Sequence, residues 1–71
     1  MTAVEWIGAF CDEIGMPAPG DEEMDAILRL AAVAAHASER IAAPIACWVA
    51  GGSGKSLEAL VEVAEGLGSG G

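Results

Sequence analysis

The run Gly51-Gly52-Ser53-Gly54-Lys55-Ser56 is the stretch whose residue types most invite chemistry. A phosphate-binding loop ends in Gly-Lys-Ser and holds phosphate oxygens with backbone N–H groups and a lysine at a helix start. That pattern needs a glycine five positions before Gly54, where this chain has Val49. It also needs a strand before the loop and an acidic strand end for magnesium. The hydrophobic spacing upstream gives a helix, so the segment reads as a helix-helix linker and no nucleotide or other cofactor is expected.

His36 with Cys11 or Cys47 offers a base and a nucleophile, but such a pair works only if folding makes the two adjacent. Both cysteines sit among apolar neighbours, where small thiols commonly pack. One histidine and two cysteines are a ligand short of a Cys3His zinc set. The acidic run from Asp21 to Asp25 lacks the ligand spacing of a calcium loop and reads as helix-start chemistry. No catalytic residue and no metal ligand is assigned, and the chain is not expected to be an enzyme.

A third constellation concerns recognition. The chain carries 11 acidic and 3 basic residues, a formal charge of -8. Arg29 and Arg40 nevertheless fall with the sole histidine, His36, on one side of a helical wheel, together with Asp25 and Glu39. Asp25 and Arg29 are four apart and can pair on a helix. Arg29, His36 and Arg40 are therefore the expected docking face, a local patch able to steer an acidic partner surface. The alternative is a minimal ligand-binding domain or enzyme using His36 and Arg40. Its mark would be a concave pocket joining those residues to Cys47.

Four helices must position these groups. Thr2-Ala3-Val4-Glu5 is a capping box, Val4, Ile7, Cys11 and Ile14 follow at helical spacing, and Gly15 is the natural stop. After Pro17, Pro19 and Gly20, Asp21 is expected to cap a second helix. Its core half holds Ile27, Leu28, Leu30, Ala31, Ala34 and Ala35 and extends to Ser38 and Ile41. Pro44 requires that helix to stop or kink between Ser38 and Ala43 and suits the first turn of a third. Ile45, Trp48 and Val49 share a face of this third helix, which Gly51 and Gly52 end. Ser56 caps a fourth, carrying Leu57, Leu60, Val61 and Ala64. The expected fold is all-α, a compact bundle of about four helices around a long central second helix. Residues 1–67 form one domain, and 68–71 form a disordered glycine-rich tail.

Charge and length narrow the partners. A chain this acidic disfavours nucleic acid, which needs clustered Lys and Arg, and anionic membranes. The uncharged stretch Ile41 to Gly54 is too short to span a bilayer. Glu5, Asp12 and Glu13 break any secretory-type start, so a cytoplasmic location with reduced cysteines is expected. Alanine dominates the apolar content and buries little area. The core is thin, which points to a protein partner or to self-association.

The segment Val33-Ala34-Ala35-His36-Ala37-Ser38-Glu39-Arg40-Ile41-Ala42-Ala43-Pro44-Ile45, followed by Trp48 and Gly51, resembles a small bacterial family of unknown function. That family occurs alone or as an extension of molybdenum-cofactor guanylyltransferase-like (MobA-like) proteins. The residues are read as a small cytosolic accessory or protein-interaction module, and the resemblance implies its association with molybdopterin guanine dinucleotide synthesis. It supplies no catalytic residues to carry over.

Overall fold

In a computed structural model, residues 1–70 are described, with side chains through Leu67. The order is α1 (Ala3–Ile14), α2 (Asp21–Ala37), α3 (Ala42–Gly52) and α4 (Leu57–Gly70). No strand occurs among the described residues. The fold is the expected all-α bundle of four helices, with α2 the longest. The 68–71 tail expectation concerns residues whose side chains, and for Gly71 the whole placement, lie outside the described set.

The helix ends follow local chemistry. Thr2 Oγ1 accepts from the Glu5 N–H at 3.1 Å, and Glu5 Oε1 accepts from the Thr2 N–H at 2.8 Å, which closes both halves of the capping box. Gly15 stops α1 at φ 72°, ψ 32°. There its N–H donates to Asp12 O, and the Met16 N–H donates to Cys11 O. This pairing of orphan carbonyls needs a left-handed residue, hence glycine. Ser56 Oγ accepts from the Ala59 N–H at 3.2 Å and caps α4.

One boundary of α2 differs from expectation and the other agrees with it. Asp21 is the first residue of α2 rather than its cap. Gly20 takes the cap position, and its N–H donates to Glu23 Oε1 at 2.9 Å, so the reach-back carboxylate does the capping. At the other end α2 stops at Ala37. Ser38, the C-cap, leaves helical geometry at φ -139°, ψ -93°, inside the expected window, and its hydroxyl donates to Ala34 O at 3.0 Å. Pro44 sits in the first turn of α3, where its missing donor is harmless.

Packing centres on α2, which lies against both α3 and α4, while α1 has no pairing of similar extent. Leu30 of α2 and Val61 of α4, 5% and 8% exposed, are the buried core among the described residues. Ile27, Ala31, Ala34 and Ala35 are half-buried around Leu30. Leu28, expected in the core, is 61% exposed. It borders a groove of about 310 Å³ lined by Val4 and Ile7 of α1 and by Met24 of α2. The first helix lies across that groove instead of filling it.

The Cα radius of gyration is 12.8 Å. That is near the ~11 Å of a folded chain this long and far from the ~26 Å of an unfolded one. No helix among the described residues is long and apolar enough to cross a membrane.

Candidate interaction surfaces

The three basic-band residues are not equivalent in the fold. Arg29 is engaged across the helix seam: its Nη2 donates to Glu65 Oε2 of α4 at 2.6 Å and its Nε donates to the same oxygen at 3.1 Å. The expected local pairing with Asp25 gives way to this longer-range one, because α4 brings Glu65 beside α2. Both side chains remain well exposed, so the pair is screened by solvent and contributes modestly. His36 is exposed in the last turn of α2. Seven positions after Arg29, it lies within about 20° of it around the axis and ~10.5 Å further along. Arg40 is exposed in the link between α2 and α3. The fold thus places Arg29 and His36 on one helix face and Arg40 beyond the end of that helix.

The constellations set aside for catalysis are also resolved locally. Cys47 Sγ lies 4.0 Å from Ile27 O, which is nine residues, or ~13 Å of helix rise, from His36 along α2. Thiol and imidazole do not form a dyad. Cys11 and Cys47 are both half-buried free thiols. In the glycine-rich loop, which follows a helix, Gly54 has φ 75°. Ser53 Oγ donates to Ala50 O at 2.7 Å and accepts the Lys55 N–H at 3.1 Å. The amides at Lys55 and Ala59 are therefore already paired within the chain. No group of three or more metal-ligating side chains occurs among the described residues.

Two further open grooves lie at the α2–α4 seam and at the α2–α3 link. One, about 360 Å³, is lined by Asp25, Arg29, Glu58, Val61, Glu62 and Glu65. It is acidic, with the Arg29–Glu65 pair inside it. The other, about 630 Å³ and shallow, is lined by Ser38, Glu39, Ile41, Ala42, Ile45 and Ala46. Neither these nor the groove beside α1 has His36, Arg40 or Cys47 in its lining.

The most unusual surface belongs to α3. Its 11 residues, AAPIACWVAGG, include no ionisable side chain other than the Cys47 thiol. Helices apolar on every side are normally buried on every side. Here one side packs: Ala43, Ala46, Cys47 and Ala50 are half-buried, with Cys47 directed at α2. The opposite side is open, with Ile41 66%, Ile45 60%, Trp48 83% and Val49 58% exposed. Ile41, Ile45 and Trp48 are spaced four and then three, the seam by which one helix meets another. The sequence signals for this surface are the uncharged stretch Ile41 to Gly54 and the shared helix face of Ile45, Trp48 and Val49.

A second exposed apolar feature lies on α1. Trp6 and Phe10, about half exposed, stack with ring centroids 5.2 Å apart and planes 12° apart. Unlike α3, this helix carries Glu5, Asp12 and Glu13 on its surface.

A model of the family described as Domain of unknown function (DUF6457) matches residues 1–68. The chain belongs to the DUF6457 family. The match takes in α1, α2 and α3 whole and α4 as far as residue 68, so every surface described above lies within the DUF6457 unit. No curated protein and no solved structure matches this DUF6457 domain.

Proposed function

We propose that this DUF6457 domain is an accessory protein-interaction module without chemistry of its own. The observation that carries the proposal is α3, a charge-free helix covered by its own chain on one side only, with Trp48 standing 83% exposed. Leaving that much apolar surface in water is unfavourable by roughly 25 cal/mol per Å², and a second protein surface removes the cost. Arg29, His36 and Arg40 belong to the proposal as an outlying polar contact, with His36 and Arg40 the two not tied by a described ion pair. A role beside molybdopterin guanine dinucleotide synthesis rests on the resemblance of the Val33 to Gly51 segment.

Site-specific photo-crosslinking tests this reading. A photo-reactive phenylalanine analogue replaces Trp48 in one strain and the exposed Glu62 in another, and intact cells are irradiated. Discrete protein adducts from position 48, absent from position 62, are expected. No adduct at 48, or the same adducts at both, would overturn the proposal.

A further inference from the structure

The identity of what covers α3 follows from area and charge, given the association reading above, on which this inference rests. The chain exposes 5470 Å², whereas a folded monomer of 7.1 kDa exposes roughly 4,100 Å². The surplus, about 1,400 Å², is shared among the exposed apolar residues of α1, Leu28 and the open side of α3, and it exceeds the ~800 Å² that a standard homodimer interface removes from each partner. A surface-to-mass ratio this high is unusual for a chain that works alone.

Charge then selects the face. In a twofold dimer the same patch meets itself, so any carboxylate at its centre would confront a carboxylate. With a formal charge of -8, this chain has few places where that is avoided. Helix α1 carries Glu5, Asp12 and Glu13; α2 carries four acids in its first five residues; α4 carries Glu58, Glu62 and Glu65. Among the four helices only α3 has no acidic or basic residue, and its open side presents the four-three seam of Ile41, Ile45 and Trp48. The shallow groove lined by Ser38, Glu39, Ile41, Ala42, Ile45 and Ala46 lies at the N-terminal end of that seam, with the Glu39 carboxylate at its edge, outside the Ile45 and Trp48 centre.

We infer that the outer stripe of α3 packs against the same stripe of a second copy, forming a twofold dimer centred on Ile41, Ile45 and Trp48. The acidic residues of α1, α2 and α4 are then left to the outside of the assembly, where water and salt screen them.

Sedimentation equilibrium of the full chain across the micromolar range tests this, with circular dichroism recorded for every variant. The parent is expected at ~14 kDa, twice the 7.1 kDa of the chain. Trp48→Glu sets two carboxylates against each other at the centre and is expected to weaken dimerisation on the order of thirtyfold or more, the loss associated with a central interface tryptophan. Ile45→Lys does the same with the opposite sign and replaces Trp48→Glu in the comparison if the latter loses helix. Trp6→Ala, on α1, is expected to leave the dimer unchanged. A parent that stays at 7.1 kDa throughout, or a dimer indifferent to both α3 variants, would overturn the inference. A monomeric parent whose position 48 still crosslinks to another protein would overturn the second copy as occupant while leaving the association module intact.

Discussion

The seam between α2 and α4 and the outer side of α3 are built from opposite materials. Across the seam, Leu30 and Val61 are buried, and the Arg29–Glu65 pair spans the rim at 2.6 Å. Carboxylates of both helices line the solvent side. That is a complete intramolecular contact, with an apolar centre and a charged edge. The outer side of α3 has the apolar centre and no charged partner across it: Ile45 and Trp48 are 60% and 83% exposed, α3 itself carries no acidic or basic residue, and Glu39 borders the stripe only at its N-terminal end. The difference separates what the chain completes by itself from what it leaves for another surface to complete. Perturbing the first region should therefore change folding, and perturbing the second should change association.

The largest expected effect is at Leu30. Truncation to alanine removes the most buried side chain and leaves a void on α2, a change that costs about 2–5 kcal/mol in comparable cores. A domain of this length has a total stability on the order of 4–10 kcal/mol, so Leu30→Ala should lower the melting temperature by at least about 10 °C. Thermal circular dichroism checks it. A shift of only a few degrees would mean that the α2–α4 seam is not the folding core and would erase the contrast with α3.

A smaller effect is expected at the start of α1. Thr2→Ala removes one half of the capping box and should cost about 1 kcal/mol of local helix stability. The backbone N–H of Thr2, with its side chain adding, holds the Glu5 carboxyl below its usual 4.5. A carboxylate lowered on folding contributes its stabilisation in full above the unfolded value, and the contribution is lost as pH falls through the lowered one. Helix α1 should therefore keep both halves of its capping box at neutral pH and lose the Glu5 half on acidification below about 4.5, the Thr2 hydroxyl half remaining. An NMR titration of Glu5 is expected to give a midpoint under 4.5; a midpoint at or above that value would show that the box does not form in solution.

The smallest effect is expected at the rim. Arg29→Ala breaks an ion pair whose side chains are 64% and 42% exposed, so its effect on stability should stay under about 1 kcal/mol and shrink further in high salt. Chemical denaturation at two salt concentrations measures it. A larger, salt-independent loss would make the pair part of the core rather than its edge.

What could be foreseen from the residues divides along sequence separation. Thr2 with Glu5, Gly15, Pro44 and Ser56 act within one helical turn of themselves, so their chemistry is legible in the chain, and each performs the expected local role. Asp21 lost the cap position to Gly20, whose own N–H is taken by the Glu23 carboxylate reaching back. Glu65 lies 36 residues from Arg29, and nothing in helical periodicity pairs them; the expectation of Asp25 came from looking only four residues away. The wheel of α2 placed Leu28 inside because hydrophobicity marks which faces are apolar, not which receive a neighbour, and α1 leaves that flank open. The same distinction governs α3. Its apolar character was visible, but its exposure depends on a fold in which one flank only is covered by α2. The docking face expected at Arg29, His36 and Arg40 spans two elements, with Arg29 and His36 on α2 and Arg40 in the link that follows Ser38.

Trp48 itself reports most directly on whether the open side of α3 is covered. With Trp6→Phe as background, Trp48 is the sole tryptophan, and its quenching by neutral acrylamide can be followed as the protein concentration rises through the micromolar range. Efficient quenching at low concentration, falling towards that of a buried indole at high concentration, is the expected result. A tryptophan that remains fully accessible at every concentration, in a protein whose helix content is unchanged, would contradict the claim that α3 pairs with a second copy.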